Sequence, residues 1–371
     1  MDALILSCGT GGGHNSAGAA IEKELSARGH NVKTLNPYSL KGNRTANAIN
    51  NAYNVLVQKF PPAFGAIYRL GDAYRRLPFP SPLYYWNRRM VPYLERYMEA
   101  HHFDAVVMTH LFPAEILTNM KRRGTPAFKS YFIATDYACT PFTEETDCDC
   151  YIIPAEDLKS DFMRRGIPEG DLYPLGIPVQ KPFRQNGGRA EARARLRLDP
   201  GKKHIFVAGG SIGAGQIETV VSLLLSHYDR DQVGLTVVCG NNRALYVKLA
   251  GAYGKMCTVL EQTENMADYM RACDLFISKP GGLSSTEAAA VGTALIHITP
   301  ISGCEIANMR FFAQRGMSLP VTAPKKQLLA ACDKLMGEAP RAQMCARQHE
   351  TIQKDAAAAI CDLIESRYTQ A

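Results

Sequence analysis

Two short stretches of this chain carry residue types that can do chemistry. One is Gly9-Thr-Gly-Gly-Gly-His14, an imidazole directly behind a run of glycines. Glycines let a ligand approach the backbone closely, and an imidazole titrates near neutral pH, so His14 is placed to move a proton. The other is Phe276-Ile-Ser-Lys-Pro-Gly-Gly-Leu-Ser-Ser-Thr-Glu-Ala-Ala-Ala-Val-Gly292. It reads as a strand, a turn through Pro280, Gly281 and Gly282, and a helix that Ser284 or Ser285 can cap. The start of such a helix favours phosphate. Glu287, about one turn in, can accept hydrogen bonds from vicinal hydroxyls such as those of ribose. A plain strand–turn–helix corner, with Glu287 merely favourable near the positive end of the helix dipole, uses the same residues. The rest of the chain has to decide between them.

The elements around both stretches repeat one plan. Ala3 to Ser7 is a short apolar strand, followed by the first glycine loop and a helix from about Ser16 to Ala27. Further strands are expected at Val32–Leu35, Ala105–Thr109, Ser130–Ala134 and Tyr151–Ile153, with helical stretches between them. After Leu175-Gly-Ile-Pro178 comes a polar, Pro/Gly-rich linker, Gln180 to Gly188, and then the plan restarts. His204–Ala208 is a strand, Gly209-Gly-Ser-Ile-Gly-Ala-Gly215 a second glycine loop, and Gln216 to about His227 a helix. Strands follow at Leu235–Cys239, Thr258–Leu260, Leu275–Ser278 and Ala294–Ile298, and the last thirty or so residues, rich in alanine, read as helical. Alternation of this kind predicts an α/β protein with two open, mostly parallel sheets, whose ligands bind at the carboxyl ends of the strands. Neither glycine loop ends in Gly-Lys-[Ser/Thr], and neither fits the dinucleotide fingerprint, which argues against a P-loop enzyme and against hydride transfer.

Composition is that of a soluble globular protein: 371 residues, 46% hydrophobic, 21% charged, long enough for two domains. The net charge of +7 suits nucleic acid, anionic lipid or a phosphorylated substrate without choosing among them. Eleven cysteines without a disulfide framework fit a reducing compartment. Cys139, Cys148 and Cys150 lack the spacing of a metal site. The acidic start Met1-Asp2 and its short apolar run predict no secretory leader, and no stretch reaches a membrane span.

Taken in order, Gly9-Thr-Gly-Gly-Gly-His14, Thr135-Asp-Tyr137, Leu175-Gly-Ile-Pro178, Thr263-Glu-Asn-Met266 and Ser278-Lys-Pro-Gly-Gly282 with Glu287-Ala288 resemble the diacylglycerol glycosyltransferases. That family includes the monogalactosyldiacylglycerol synthases and the processive diacylglycerol glucosyltransferases; more distantly the chain resembles the GlcNAc-transferase that makes peptidoglycan lipid II. The resemblance implies the GT-B fold, two Rossmann-like domains facing a cleft. They would be an acceptor domain over residues 1–180, onto which a helix near 350–371 packs back, and a UDP-sugar domain over 181–349. It implies an inverting transfer of a hexose from a UDP-sugar to diacylglycerol, with no metal and no other cofactor. His14, or a carboxylate such as Asp136, would be the base. Glu287 would hold the ribose, Asn265 and Met266 would lie by the uracil, and Glu305 and Asn308 would meet the sugar. Gly12, Gly13, Gly210, Ser211, Gly213, Gly281, Gly282 and Ser284 would face the donor phosphates. Relatives commonly carry Gly-Gln-Glu where this chain has Gly303-Cys304-Glu305, and a thiol replaces poorly an amide that bridges sugar hydroxyls, so the donor hexose stays open. Many relatives also have a histidine where this chain has Thr140, which removes a second catalytic histidine from that segment. Asp147-x-Asp149 matches the metal motif of another glycosyltransferase fold but precedes a strand and lacks that fold's context.

Residues from Tyr53 to Tyr97 crowd aromatics and basic residues between prolines. Phe64, Tyr68, Arg75, Arg76, Tyr85, Trp86, Arg88 and Arg89 combine in the way of segments that rest on an anionic bilayer. Packing of helical hairpins accounts for some of these aromatics, and a groove for single-stranded nucleic acid uses similar residues. Because the implied acceptor must be drawn from a bilayer, a peripheral protein on the cytoplasmic face of the membrane, with no nucleic-acid partner, is expected. The alternatives are a UDP-GlcNAc-using GT-B enzyme, transferase or 2-epimerase, and a non-catalytic sensor of nucleotide sugar and lipid.

Overall fold

The computed structural model describes residues 1–9, 11–77, 79–124, 128–300 and 303–368, and leaves undescribed the side chains of residues 54, 57–59, 61, 62 and 64. Phe64, one of the expected membrane-facing residues, therefore lies outside the described side chains. Two compact units result, Met1–Gln180 with Gln353–Ala371, and Lys181–Ile352.

The sheet of the first unit is built from β1 (Asp2–Leu6), β2 (Asn31–Leu35), β3 (Ala105–Met108), β4 (Lys129–Ile133), β5 (Cys150–Ile152) and β6 (Leu172–Tyr173). They lie in the order β2-β1-β3-β4-β5-β6, each pair parallel. From Ala3 onward β1, like the whole of β3, is apolar without interruption because helices cover both faces of the sheet. Alternation then sends Leu4, Leu6, Val106 and Met108 into one core, and Ala3, Ile5, Ala105 and Val107 into the other. The helix Gly12–Ala27 closes the second core with Ile21 and Leu25, beside Ile360 and Ile364 of the C-terminal helix Ala356–Tyr368. Ion pairs join those two helices at the rim: Arg28 reaches Asp362 at 2.6 Å and Glu365 at 2.8 Å, and His30 meets Glu365 at 2.6 Å.

In the second unit β7 (Lys203–Ala208), β8 (Val233–Val238), β9 (Thr258–Leu260), β10 (Leu275–Ser278), β11 (Leu295–Ile298) and β12 (Leu319–Val321) form another parallel sheet, ordered β12-β11-β10-β7-β8-β9. Register matters more than the count of strands. Ser278 pairs with Ala208, so the Pro-Gly-Gly turn and the second glycine loop leave the sheet side by side. Leu6 pairs with Met108, and Met108 with Phe132, which brings the first glycine loop, Thr109-His110 and Thr135-Asp136 to one edge.

The two strands absent from the sequence reading, β6 and β12, are both edge strands of two or three residues. Pro320 inside β12 reads as a break, yet an edge position tolerates a missing N–H. The aromatic-rich segment folds as the helices Asn43–Lys59, Pro61–Tyr74, Pro82–Asn87 and Val91–Glu99. Prolines fall at the starts of the last three, where no intrahelical N–H is needed. A buried chain fastens the third of these helices: Tyr38 Oη donates to Asn87 Oδ1 at 2.5 Å, and Asn87 Nδ2 donates to Glu115 Oε2 at 2.5 Å. Burial pushes the Glu115 carboxyl up to about 8, against the Asn87 bond, which acts to lower it.

Candidate active-site residues of the two units

The helix carrying His14 begins at Gly12, about four residues earlier than the sequence suggests. His14 therefore belongs to a first helical turn rather than to a loop. No side chain caps this helix, and the turn before it has Gly11 at φ 99°, a left-handed conformation that glycine adopts without strain. Ser7 Oγ donates to Asn15 Oδ1 at 2.6 Å and Thr109 Oγ1 donates to Ser7 Oγ at 3.2 Å, which fixes the glycine loop against β3.

The protonation of the two histidines follows from their partners. His14 Nδ1 lies 2.7 Å from the Thr109 carbonyl oxygen, which can only accept, so Nδ1 carries the proton and Nε2 the lone pair. Thr135 Oγ1, 2.9 Å from the same nitrogen, accepts a share of that hydrogen. Burial lowers the pKa of His14, against the Asp136 carboxylate and the Thr109 bond, which act to raise it. The ring is thus neutral, with a basic Nε2, at pH 7. His110 stands edge-on to it with ring centroids 4.5 Å apart. Its Nδ1 accepts from the Phe112 N–H at 3.1 Å, capping the helix Leu111–Lys121 and putting the proton on Nε2. Burial and the neighbouring His14 lower the pKa of His110 further. Sequence reasoning passed over His110; its signal was its position directly after an apolar strand, at the same sheet edge as His14.

These residues open on a cavity of about 260 Å³. His14, Thr109, His110, Thr135 and Asp136 supply polar groups at one part of it and Thr140 and Thr143 at another, while Leu83, Phe112, Phe132, Ala138, Phe142 and Phe162 contribute apolar wall. Such a space suits an apolar ligand with one oxygen-bearing end.

In the second unit the helix Gly282–Val291 begins directly on the Pro-Gly-Gly turn, and no side chain caps it. The expected cap by Ser284 or Ser285 is not made. Ser284 Oγ turns to the Gly281 carbonyl at 3.3 Å, and Ser285 Oγ is buried 2.9 Å from His297 Nε2. The first N–H groups of this helix keep their affinity for an anion. Glu287 lies in the second turn, 8% exposed. Asn308, fully buried, donates to the Pro280 carbonyl at 3.0 Å and props the turn from the helix Gly303–Gln314. Cys304 and Glu305 stand in the first turn of that helix. Lys279, which sequence reasoning did not single out, bridges these parts. Its ammonium pairs with Glu305, and a Cβ at Gly210 would lie 2.8 Å from its Cε. A lysine beside a Pro-Gly-Gly turn at a strand end was the missed signal.

The glycine loop after β7 splits in role. Gly210 adjoins Lys279, and Ser211 is exposed with its carbonyl accepting from Asn241 N at 2.8 Å. Gly213, expected to face phosphate, instead serves the loop itself. Its N–H is spent on the Gly210 carbonyl at 3.1 Å, and a Cβ there would overlap the Cys239 carbonyl oxygen. Gly281 N–H is likewise turned back, onto the Lys279 carbonyl at 2.9 Å. Asn265 and Met266 stand at the start of the helix Met266–Ala272 after β9, where the Asn265 N–H donates to Thr263 Oγ1 at 3.1 Å.

Among the membrane-facing residues, Arg75 is corrected by its surroundings. Its guanidinium makes a two-point pair with Glu144 at 2.6 and 2.5 Å, and the side chain is 7% exposed. Arg76, Arg88 and Arg89 are exposed, as are Tyr85 and Trp86, and Tyr68 lines the cavity. Asp149 accepts from the Ser130 N–H at 2.8 Å and from Lys121 at 3.0 Å, a structural use of the Asp-x-Asp pair.

A family model for monogalactosyldiacylglycerol (MGDG) synthase matches residues 14–179, and one for the glycosyltransferase family 28 C-terminal domain matches residues 204–360. The processive diacylglycerol beta-glucosyltransferase of Bacillus subtilis (strain 168) is 24% identical over 340 residues, 90% of this chain and 87% of that protein. Among solved structures, MurG of Acinetobacter baumannii superposes with a TM-score of 0.63 at 18% identity, covering 98% of this chain and 99% of the other. Spinosyn rhamnosyltransferase SpnG, complexed with thymidine diphosphate, gives 0.63 at 15% identity, covering 98% and 100%. At these identities the structures establish the fold, GT-B.

Proposed function

This chain belongs to the diacylglycerol glycosyltransferase family, and we propose that it moves a hexose, glucose or galactose, from a UDP-sugar to the hydroxyl of diacylglycerol with inversion at the anomeric carbon. The observation that carries the reading is His14, held neutral with Nε2 basic on a largely apolar cavity. In this mechanism Nε2 takes the proton of the acceptor hydroxyl as its oxygen attacks the anomeric carbon. The bond from that carbon to the diphosphate breaks, and UDP leaves with the electron pair. Charge that develops on the diphosphate is met by the N–H groups at the start of the helix Gly282–Val291 and by Lys279. Glu287 accepts from the ribose hydroxyls, and Glu305 stands ready for those of the hexose. No metal is called for, since backbone dipoles and one ammonium oppose the leaving charge.

The test is direct. The purified protein is incubated with diacylglycerol vesicles and UDP-glucose, UDP-galactose or UDP-GlcNAc, and the lipids are resolved and their anomeric linkage read by NMR. A β-linked hexosyl lipid is expected; a folded protein that makes glycolipid from none of the donors overturns the reading.

Lys279 gives a sharper check on the donor half. Lys279→Gln keeps a hydrogen bond to Glu305 but removes the charge. Charged hydrogen bonds contribute about 1.5–3 kcal/mol, so UDP affinity is expected to fall about 10- to 150-fold. Uridine, lacking the diphosphate, should bind unchanged. Equal losses for both ligands in calorimetry would remove Lys279 from the diphosphate.

We place the protein peripherally on the cytoplasmic face of a membrane. Its cysteines are free, in keeping with a reducing compartment, and no helix among the described residues is long and apolar enough to cross a bilayer. The docking face in this reading carries Phe60, Leu70, Phe79 and Tyr85, each at least half exposed, with Arg76, Arg88 and Arg89. Each basic residue near an anionic surface is worth about 1 kcal/mol. The triple change Arg76→Glu, Arg88→Glu, Arg89→Glu should thus weaken partition onto anionic vesicles on the order of 100-fold or more. Arg75→Glu is left out because it would break the Glu144 pair. An unchanged pellet fraction in sedimentation would show that this face does not meet lipid.

A further inference from the structure

We propose that the cavity beside His14 is an acyl-chain site: it encloses the upper part of one fatty chain of the acceptor, and Phe142 with Gly71 sets its width. The proposal rests on the reading of the protein as a diacylglycerol glycosyltransferase and goes further, because it names which part of the acceptor the first unit grips and what limits it.

The lining decides the ligand class. One polar cluster is built around His14, with Thr109 and Thr135 both bonded to it, Asp136 acting on it through charge and His110 edge-on; Tyr53, Tyr68 and the mutually bonded Thr140 and Thr143 also line the cavity. Phenylalanine, leucine and alanine side chains make up much of the remaining wall. A sugar seated there would bury hydroxyls against carbon, which is unfavourable without partners. Methylenes gain with every increment of area withdrawn from water. A diacylglycerol satisfies both parts at once, its free hydroxyl and ester oxygens among the polar groups and its chain in the apolar part.

The cavity also reaches the surface in the right place. Ile67 lines it and is nonetheless 53% exposed, so the wall and the outside meet at this residue on the helix Pro61–Tyr74. Leu70 on the same helix is 68% exposed, and Phe60 just before it 56%. An apolar surface of this kind needs covering. A chain drawn from a bilayer that covers it enters at Ile67 with its polar end toward His14.

Phe142 marks the narrow point. Its φ of 73° is left-handed, a conformation that costs a bulky side chain energy and persists only where the surroundings over-determine it. Its ring lines the cavity, stands 6.2 Å edge-on from Tyr74, and fits against Gly71, where a Cβ would lie 3.2 Å from Cε2. A glycine inside a helix weakens it. Here its missing side chain leaves room for the ring, so Gly71 and Phe142 act together as a gauge for the chain.

Two variants and one label test the idea. Ala138→Phe narrows the cavity; Phe142→Gly widens it and relieves the backbone. Activity on dioleoylglycerol and on dioctanoylglycerol is compared in one detergent micelle, which removes membrane docking from the measurement. Ala138→Phe is expected to lower the ratio of kcat/KM, long chain over short, at least tenfold, whereas Phe142→Gly raises it. Ratios that stay within twofold of the wild type in both variants overturn the proposal. Wild-type protein is also photolysed with a diacylglycerol carrying a diazirine part-way along one chain. Adducts within residues 67–71 or 132–143 support the site; adducts confined elsewhere, or none, overturn it, whatever the variants' folding. Labelling does not need turnover, so a labelled cavity in a protein that makes no glycolipid removes the activity and leaves the chain site. Glycolipid formation without labelling does the reverse.

Discussion

Replacing His14 by alanine is expected to lower kcat by about 10²–10⁴-fold, the usual contribution of a positioned general base. That range corresponds to about 3–5 kcal/mol of barrier. UDP affinity should stay within a few-fold, because the ring's fixed contacts are to Thr109 and Thr135 of its own unit. The pH profile supplies a second readout. A base must be unprotonated, and burial lowers the pKa of His14 from its ordinary 6.5, so wild-type kcat/KM should be flat at neutral pH and fall only below 6.5. Residual activity of the alanine variant should lack that acid limb. A variant that turns over within threefold of the wild type, or keeps the same limb, would move the base elsewhere, with Asp136 next in line.

Glu287→Ala is expected to be as damaging to donor binding as His14→Ala is to turnover. Alanine keeps the helix, so the change isolates the carboxylate. Two charge-assisted hydrogen bonds to ribose hydroxyls, at about 1.5–3 kcal/mol each, put the loss of UDP affinity at 10²-fold or more, roughly the limit of ordinary calorimetry. Discrimination is the more specific measurement. The wild type should prefer UDP to 2′-deoxy-UDP, and the variant should lose that preference along with affinity. If Glu287→Ala binds UDP normally, the carboxylate does not hold the ribose.

Both sheets were legible because buried parallel strands write themselves as uninterrupted Val, Ile and Leu, and a glycine turn follows where each meets a ligand. The edges were not. Leu172-Tyr173 is too short to show a pattern, and Pro320 hides β12. The positions of His14 and Glu287 were nearly legible, because each lies in a helix that starts directly behind a glycine turn close to it in sequence. Arg75 was misread for the opposite reason: what removes it from the surface is Glu144, sixty-nine positions away. Lys279 and His110 failed for a subtler cause. Each lies at a strand end that reads as structural until register brings Gly210, Glu305 or His14 alongside. Gly213 illustrates the converse, a glycine whose visible freedom serves a backbone crossing with Cys239 rather than a ligand.

The C-terminal helix has a bearing on how the protein is made. Its Ile360 and Ile364 complete a core otherwise built by β1, β3, β4, β5 and the helix Gly12–Ala27. That core belongs to the unit that leaves the ribosome first, yet the piece that seals it follows the entire second unit. Domains generally fold in the order of their synthesis. Here the order is inverted: residues 181–352 are continuous and can finish while the earlier unit still waits with one apolar face uncovered. A premature stop within the C-terminal helix would therefore spare the second unit and leave the core of the first unsealed.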